Sequence, residues 1–471
     1  MNKSEFVAGG GMMFGDEGKG AMVDYWARKY NAALVVRYGG PQAAHNAVTP
    51  EGLHHTFAQY GSATLSGVET YLSEKMLVDP QRLLSETKVL SDKGVEYPLK
   101  RIVIDPECIV VTPFHERINR MREISRGKNK HGSCGVGVGE AAMDEGLLGN
   151  MAIRVKDFFD KKNLCHKLNF LWQLKIDMAE QLLAEDPSNE KLSDGLARLK
   201  RVGYVEALAD AYVIFAKNSG VRVESGYLRK FENNSLVIFE GSQGVLLDKT
   251  HGFHPYVTKT TTTFEYADYL IDKYCTCVQT KKIGILRAYM TRHGAGPFIT
   301  EDRSLTEKIS DFHNGTNEWQ DSFRVGWFDV FMARYALKIA RPDLVALTNL
   351  DRLSGLEKIK ICAAYEYTGP KNDALDKYFL WEKFSGNRIR VSALKKGGEQ
   401  SSELSEMLFE CRPLEFIELD GWQNDISGAK SFGNLPKQAQ EYVSFLTSKE
   451  MLNIPFSSIS VGPAWTDKIE L

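Results

Sequence analysis

A glycine-rich segment near the N-terminus limits the possible fold more than any other part of this sequence. Three glycines at 9–11 and the motif GDEGKG at 15–20 precede an amphipathic stretch at 21–30, which is followed by an apolar, β-branched run at 32–36. A loop, a helix and a buried strand in this order are typical of an α/β sheet. Further apolar strand candidates recur along the chain, at 101–104, 236–239, 283–288, 344–348 and 359–365. The sequence therefore predicts an α/β fold.

Composition and charge exclude several classes of protein. Hydrophobic residues make up 43% of the 471 positions, which is enough for a large core and argues against a disordered chain. The formal net charge of -2 gives no overall attraction to nucleic acid or to an anionic membrane, and no apolar run approaches the roughly 18 residues of a membrane span. The segment 1–11 lacks the pattern of a signal peptide, and the seven cysteines lack disulfide or zinc spacing. We therefore expect a soluble cytoplasmic protein that has reduced thiols and neither nucleic-acid nor membrane partners.

The chain shows neither an internal repeat nor a long linker, so we expect a single domain over 1–471. Apolar residues recur at helical spacing through most of 156–217, which predicts a mostly helical subdomain within that domain. The polar stretch 385–405 is rich in glycine and lysine and is interpreted as an exposed excursion.

The motif at 15–20 combines features of an anion site with two carboxylates. Glycines allow backbone N–H groups to approach an anion, a helix N-terminus adds its positive end, and Lys19 adds a point charge, so phosphate binding is physically reasonable. The motif is not a standard P-loop, because Met13 stands where a glycine is needed and a glycine follows the lysine in place of a metal-binding hydroxyl. A glycine-rich turn with a solvated lysine is the alternative. Asp16 and Glu17 would repel a bare phosphate, which favours a bound cation or proton chemistry.

Further polar segments follow predicted strands, where α/β sheets bind their ligands. His45 follows the strand that ends near Arg37, EGSQG at 240–244 ends another strand, and TNLD at 348–351 ends a third. A carboxylate in the last motif can accept both N1–H and the 2-amino group of guanine, which favours a guanine nucleotide. The glycine-rich loop at 131–139 can wrap a polar ligand. A structural histidine and a plain surface loop are the alternatives at 45 and at 131–139.

Taken in order, these segments resemble the adenylosuccinate synthetase family. The matching segments follow the family's order over nearly the whole chain, and they are GDEGKG (15–20), AAHN (43–46), HGSCGVGVG (131–139), IRVKDFF (153–159), FEGSQGVLLD (239–248), HGFHPYVT (251–258), RAYMTRHGAGPFITE (287–301), RVGWFD (324–329), TNLD (348–351) and SVGP (460–463). A single match arises easily by chance, whereas ten in order do not. The resemblance implies an α/β fold with a large central, mostly parallel sheet flanked by helices, similar to that of P-loop NTPases, with a helical insertion.

The resemblance implies a GTP- and Mg²⁺-dependent ligase that phosphorylates the 6-oxygen of a purine nucleotide and lets aspartate displace the phosphate, as in the conversion of IMP to adenylosuccinate. Asp16 matches the general base that removes the N1 proton, and together with the Ala44 carbonyl it would hold Mg²⁺. His45 matches an acid that bonds the transferred phosphoryl group. Lys19 would neutralise charge on the phosphates, and Gln243 matches a glutamine that positions the reacting centre.

The resemblance also implies three sets of binding residues and a homodimer of the chain. The set for GTP is Gly15, Glu17, Gly18, Gly20, Asn349, Asp351, Ser460 and Gly462. The set for the purine nucleotide is Gln42, Ser133, Cys134, Gln243 and Thr258. The set for the amino acid is Thr316, Asn317, Gln320 and Arg324.

Several residues depart from the family's pattern. The arginine that grips the aspartate carboxylate is replaced by Asp321, so either Arg324 takes its place or the amine is different. The arginine that reaches across the family's dimer has no counterpart in 146–151, the lysine of the guanine motif is Asn349, and the asparagine before the histidine is Gln42. These changes surround the substrate pockets, while the phosphoryl-transfer residues are kept. The pattern favours conserved chemistry on an altered substrate.

Two alternatives remain open from the sequence. The first keeps the chemistry and changes a substrate: the acceptor could be dGMP, as in viral relatives that make the precursor of 2-aminoadenine, or the amine could be another one. The second is a non-catalytic, guanine-nucleotide-binding regulatory protein. Retention of Asp16, Lys19, His45 and Gln243 together speaks against it, because a protein that only binds nucleotide has no need of a base and an acid.

Overall fold

The computed structural model describes residues 4–42, 44–127, 130–233, 235–276, 278–309, 323–398 and 400–471. These residues form 22 strands, which are β1 (Ser4–Gly11), β2 (Leu34–Gly39), β3 (His45–Val48), β4 (His54–Phe57), β5 (Glu69–Val78), β6 (Ile102–Ile104), β7 (Ile109–Val110), β8 (Arg222–Val223), β9 (Leu236–Gly244), β10 (Val278–Arg287), β11 (Met290–Arg292), β12 (Arg324–Gly326), β13 (Phe328–Asp329), β14 (Leu344–Thr348), β15 (Lys358–Cys362), β16 (Tyr365–Tyr367), β17 (Phe379–Phe384), β18 (Arg388–Leu394), β19 (Cys411–Pro413), β20 (Phe416–Asp420), β21 (Phe456–Ser460) and β22 (Lys468–Glu470).

The same described residues form thirteen α-helices. They are α1 (Lys19–Lys29), α2 (Pro80–Asp92), α3 (Pro113–Arg126), α4 (Val138–Leu148), α5 (Lys161–Glu185), α6 (Glu190–Leu199), α7 (Tyr204–Asn218), α8 (Glu265–Tyr274), α9 (Arg303–Lys308), α10 (Val330–Ala340), α11 (Asp373–Tyr378), α12 (Glu403–Phe409) and α13 (Lys437–Thr447). Within the described ranges, no helix is both long enough and apolar enough to cross a membrane.

A sheet of eleven strands forms the centre of the described structure. Its order is β22-β21-β14-β10-β1-β9-β2-β5-β6-β8, and β7 pairs with β5 off this path. The paired strands are parallel, except that β22 runs antiparallel to β21. Parallel neighbours need crossover connections, which here are mostly helical and cover the faces of the sheet. The predicted α/β fold with a large, mostly parallel central sheet flanked by helices is confirmed.

Close packing at the middle of this sheet explains the glycines at the start of the chain. β1 lies between β9 and β10. A Cβ atom on Gly9 would lie 2.8 Å from the ring of Trp26 in α1, and one on Gly10 would lie 3.0 Å from the ring of Phe264 at the start of α8. Glycine therefore lets aromatic rings pack directly on the backbone of β1. This contact places the first turn of α1 beside the carboxyl end of the sheet.

Two expectations from the sequence differ from the structure. The apolar run 359–365 is not one strand, because the chain bends after β15, which pairs with β20, and continues as β16, which pairs with β18 and β19. The bend lets apolar side chains of both short strands enter the same core. The interpretation of 385–405 as an exposed excursion is wrong over β18, where alternate residues such as Ile389 and Val391 are buried.

Three helices occupy the region that was predicted to be mostly helical. α5, α6 and α7 pack together and against α3 around an apolar cluster of their own. The indole N–H of Trp172 donates to the Leu199 carbonyl at 2.6 Å, and the rings of Phe158 and Tyr212 stack with centroids 4.7 Å apart. The interpretation of 156–217 as a subdomain of one 1–471 domain stays a prediction.

Candidate active site

A cavity of about 800 Å³ opens beyond the carboxyl ends of β1, β2 and β9. It collects polar side chains from loops that are far apart in the sequence, as expected at this edge of a parallel sheet. Nine of the residues singled out in the sequence line it, and these are Gly15, Asp16, Gln42, Ala44, His45, Ser133, Cys134, Gln243 and Thr258.

An ion pair inside the glycine-rich loop shapes the entrance to the first helix. The buried carboxylate of Glu17 accepts hydrogen bonds from the backbone N–H groups of Met13 at 2.9 Å and Gly15 at 2.8 Å. Its other oxygen lies 2.8 Å from the ammonium nitrogen of Lys19, which also donates to the Gly15 carbonyl. Gly18 takes a φ of 80°, which glycine adopts without strain. The loop therefore closes around Glu17 and Lys19, while Asp16 reaches the cavity.

Among the described residues, His293 is the basic side chain found within 4.0 Å of the Asp16 carboxylate. Nε2 of His293 lies 3.8 Å from its Oδ2. Burial raises the pKa of Asp16, and the neighbouring charges of His293 and Lys19 offset part of this rise. Within the described ranges, no cluster of three or more His, Cys, Asp or Glu side chains could hold a metal alone. One carboxylate and one carbonyl beside nucleotide phosphates nevertheless suit Mg²⁺, which keeps waters and few protein ligands. Asp16 and the Ala44 carbonyl thus fit the ion.

A buried glutamate holds the imidazole of His45. Nδ1 of His45 lies 2.5 Å from Oε1 of Glu240, whose carboxylate also accepts from the Ser62 backbone N–H at 2.9 Å and from the Ser62 hydroxyl. Arg37 lies 3.4 Å from the same carboxylate. Burial and Arg37 lower the pKa of His45 to about 4, although Glu240 opposes this shift. Burial alone would raise the pKa of Glu240, but Arg37, His45 and Ser62 outweigh it and lower that pKa to about 2.

The contact between His45 and Glu240 leaves Nε2 of His45 toward the cavity. Because Glu240 is ionised, Nδ1 of the imidazole is the donor toward it, and Nε2 is buried without a hydrogen-bond partner among the described residues. The side-chain oxygens Oε1 of Gln42 and Oε1 of Gln243 are buried and unpartnered in the same way. Gln243 also has a positive φ of 59°, which is uncommon for a residue with a side chain and is typical of functional sites. These atoms are available to a polar ligand.

Several cavity residues were not recognised in the sequence. Glu240 was noted only as the start of EGSQG at 240–244, and its place at the end of an apolar strand was the available signal. Arg122 and Arg126 stand four positions apart on α3, a spacing that puts them on one face of the helix. Tyr256, Arg292 and His293 lie within the matching segments 251–258 and 287–301 but were given no role there, and Asn119 and Lys259 were given none either.

The residues predicted to read guanine meet beside the glycine-rich loop. β14 and β21 are parallel neighbours, so Asn349 and Asp351 after the first strand lie close to Ser460 at the end of the second. The Thr348 hydroxyl donates to the Glu17 carbonyl at 2.6 Å. Burial raises the pKa of Asp351.

Lys468, which the sequence did not point to, holds the turn that follows Ser460. Lys468 donates to the carbonyls of Gly462 at 2.7 Å and Ala464 at 2.8 Å. Ser460 also donates to the Gly462 carbonyl, at 2.9 Å. The turn that follows β21 is thus held by side chains on both of its flanks.

The predicted amino-acid residues are only partly described. Thr316, Asn317 and Gln320 lie outside the described residues, as does Asp321. The guanidinium of Arg324 donates to Glu301 at 2.9 Å and to the carbonyls of Gly294 and Gly296. In this arrangement its donors serve the protein itself, so the proposed contact with an amino acid stays a prediction.

Comparisons with known proteins find relatives over nearly the whole chain. The family model described as adenylosuccinate synthetase matches residues 10–469. The adenylosuccinate synthetase of Streptomyces coelicolor is 31% identical over 474 residues, covering 98% of this chain and 97% of the relative. That of Mycobacterium marinum is 33% identical over 463 residues, covering 96% and 95%.

Two solved structures are similar in fold. Fully ligated adenylosuccinate synthetase from Plasmodium falciparum superposes with a TM-score of 0.76 at 23% identity and covers 99% of both chains. The succinoaminodeoxyadenylate synthetase of cyanophage S-2L, bound to dGMP and to dATP as an energy donor, gives a TM-score of 0.54 at 16% identity, with 100% of this chain and 96% of that chain covered. Both likenesses support the fold described above.

The crowded underside of the glycine-rich loop gives a test of its packing. A Cβ atom on Gly11 would lie 2.3 Å from Oε2 of Glu17 and 2.5 Å from the Gln243 carbonyl oxygen. We expect Gly11→Ala to lower the free energy of unfolding by about 2 kcal/mol, because the added methyl group displaces the buried ion pair. Gly146→Ala in α4, where a Cβ atom meets nothing within 4 Å, should be neutral or stabilising. Equal effects in urea denaturation would contradict this account.

Proposed function

The chain belongs to the adenylosuccinate synthetase family of carbon–nitrogen ligases, which use GTP and Mg²⁺, and we propose that it phosphorylates the 6-oxygen of a purine nucleotide with GTP and replaces that phosphate by an amine. IMP and aspartate are the proposed substrates. The observation that carries the proposal is the pairing of His45 with Glu240, which leaves Nε2 free in the same cavity that Asp16 lines. A protein that only binds nucleotide gains nothing from a buried, oriented imidazole.

Asp16 is proposed as the group that takes the N1 proton of the purine. The purine 6-oxygen is a poor nucleophile until N1 is deprotonated, and a carboxylate in the cavity can accept that proton. The electron pair then moves to the 6-oxygen, which attacks the terminal phosphorus of GTP, and GDP leaves as the bridging P–O bond breaks. Asp16 and the Ala44 carbonyl would hold Mg²⁺, which would neutralise charge on the phosphate oxygens. Gln243, whose Oε1 is unpartnered, would position the base.

His45 is proposed to stabilise the phosphoryl group during its transfer. Its Nδ1–H is held by Glu240, so Nε2 becomes a second donor only when the imidazole is protonated. An anionic phosphoryl group beside Nε2 favours that form, as does the carboxylate behind it. Lys19 would leave Glu17 to meet the phosphates of GTP. The fixed orientation of the imidazole removes the need for reorganisation during the reaction.

GTP is proposed to bind over the glycine-rich loop, and the acceptor nucleotide in the cavity. GTP would lie over the loop, with backbone N–H groups of Gly18 and Gly20 toward its phosphates, while Gly15, whose N–H is held by the side chain of Glu17, shapes the loop beneath. Its base would reach Asp351, flanked by Asn349, Ser460 and Gly462. The acceptor nucleotide would contact Gln42, Ser133, Cys134, Gln243 and Thr258. A cytoplasmic homodimer, expected from the family resemblance, is part of the proposal.

The direct test is a product assay. The protein is incubated with GTP, Mg²⁺ and aspartate and with IMP, dIMP, GMP or dGMP, and succinylated nucleotides are identified by mass. We expect adenylosuccinate from IMP. The fold's likeness to the cyanophage enzyme bound to dGMP makes dGMP the second acceptor to examine. No new nucleotide with any acceptor would overturn the proposal, and GTP hydrolysis alone would favour another amine or a regulatory protein.

The same assay tests the role of Asp16. We expect Asp16→Asn to abolish turnover while GTP binding persists, because the amide cannot take the proton.

Glu240 is proposed as a positioning residue that acts through His45. Glu240→Gln keeps the shape of the side chain but removes the charge that orients and supports the imidazole. We expect kcat to fall by about tenfold or more, with KM for GTP and IMP changed by less than about twofold. Ser62→Ala removes a hydrogen bond to Glu240 without touching His45, and it serves as the matched control. An unchanged kcat in Glu240→Gln, or an equal loss in Ser62→Ala, would contradict this role, and thermal melts of both variants report folding.

The base preference of the triphosphate site depends on Asp351. Its carboxylate can accept from N1–H and from the 2-amino group of guanine, whereas an asparagine amide can donate to the 2-oxygen of xanthine. We expect Asp351→Asn to lower kcat/KM for GTP by about tenfold to a hundredfold and to raise that for xanthosine triphosphate. ATP, which offers neither pattern, is the internal control. An unchanged order of kcat/KM for the three triphosphates in steady-state kinetics would contradict this assignment.

A further inference from the structure

The positive charges of the cavity differ in how far the protein already compensates them. Nε of Arg122 lies 3.0 Å from Glu140, and Arg126 lies 2.6 Å from Glu123. Both carboxylates are buried, so both arginines are tied to α3 and α4 by partners that keep their charge occupied. A ligand at either arginine would therefore compete with a carboxylate that is already paired.

Arg292 is occupied in a different way. Its buried guanidinium donates to the Pro297 carbonyl at 2.8 Å and to the Ala295 carbonyl at 2.9 Å, and it lies over the ring of Phe14 with its carbon 4.2 Å from the ring centroid. These contacts fix the side chain within the loop that follows β11. Arg292 lines the cavity, and its guanidinium donors are bonded to backbone carbonyls.

Among the described residues that line the cavity, Lys259 is the fourth permanent cation besides Arg122, Arg126 and Arg292. No carboxylate of the described residues lies within 4.0 Å of its ammonium group. Its stem runs past α4, since a Cβ atom on Gly139 would lie 3.4 Å from Cγ of the lysine. Lys259 therefore stands opposite the glycine-rich segment 132–139 and directly after Thr258.

The described residues on this wall include two hydroxyl groups, and the carboxylates of Glu140 and Glu123 that also line the cavity are paired with Arg122 and Arg126. Ser133, whose hydroxyl accepts from Asn119 at 2.8 Å, and Thr258 line this part of the cavity. Burial is the main cause that lowers the pKa of His131 and of His254 on the same wall. The charge of Lys259 adds to the lowering in both, and that of Arg126 adds to it in His131.

We propose that Lys259 supplies the positive charge that binds the 5′-phosphate of the acceptor nucleotide, so that the charge in this subsite comes from the same chain. A phosphate monoester carries nearly two negative charges at neutral pH, which hydroxyl groups alone do not neutralise. A lysine ammonium is a compact point charge on a flexible stem and can follow the phosphate as it settles. The inference rests on the proposed function only in taking a purine nucleotide as the acceptor.

The test compares a nucleotide with its nucleoside. Isothermal titration calorimetry measures Kd for IMP and inosine, and for dGMP and deoxyguanosine, with the wild-type chain and with Lys259→Met, Lys259→Arg and Lys249→Met. We expect Lys259→Met to weaken the binding of the preferred monophosphate by about tenfold or more and to leave its nucleoside unchanged. Lys259→Arg should restore most of the loss. Lys249 is exposed on the same loop but does not line the cavity, so Lys249→Met should bind as the wild type does.

Each other outcome has a distinct meaning. Equal weakening of nucleotide and nucleoside in Lys259→Met would show a structural role and overturn the inference. Unchanged nucleotide binding in that variant, or a wild-type chain that binds neither monophosphate or binds the nucleosides equally well, would overturn it too. Lys259-dependent binding of IMP or dGMP without any succinylated product in the assay above would leave this inference standing and remove the proposed ligase function.

Discussion

The buried contact between Glu17 and Lys19 is the interaction on which the rest of the site depends. Glu17 gathers two backbone N–H groups and an ammonium group, and its own carbonyl is held by Thr348 at the end of β14. The same carboxylate leaves no room for a side chain on Gly11 of β1. Loss of one partner would leave an uncompensated buried charge, which costs about 3–5 kcal/mol. The loop is therefore fixed to two strands before any nucleotide arrives.

A second buried group of charges fixes the imidazole, and sheet register explains its position. Arg37 of β2 and Glu240 of β9 are direct neighbours in the parallel pairing of these strands. His45 lies in β3, a few residues beyond the end of β2, and folds back onto Glu240. Asp16 follows β1, the strand on the other side of β9. The groups proposed for catalysis thus come from three adjacent strands, and the order of the sheet brings them into one cavity.

The sequence predicts the class of fold and much of the cavity wall because both follow from local sequence patterns. Apolar, β-branched runs predict β6, β9, β10 and β14, and the polar residues directly after strands lie at the carboxyl edge of the central sheet. Pairing over long distances carries no such pattern. The bend between β15 and β16 depends on partners that follow more than twenty residues later, and the roles of Glu240 and Lys259 depend on which charges they meet, or do not meet, in space. Arg324 shows the same limit, because its partner Glu301 belongs to another segment.

The occupied state of Lys19 also bears on how nucleotide affinity responds to ionic strength. A triphosphate that draws the Lys19 ammonium group from Glu17 would gain one ion pair while the protein loses another. The net electrostatic gain on binding would therefore be smaller than the number of basic residues at the site suggests. Screening by added salt acts on that small difference and only weakly on buried charges. If GTP binds as proposed, the glycine-rich loop would exchange one ion pair for another, and its affinity for phosphate would be comparatively insensitive to salt concentration.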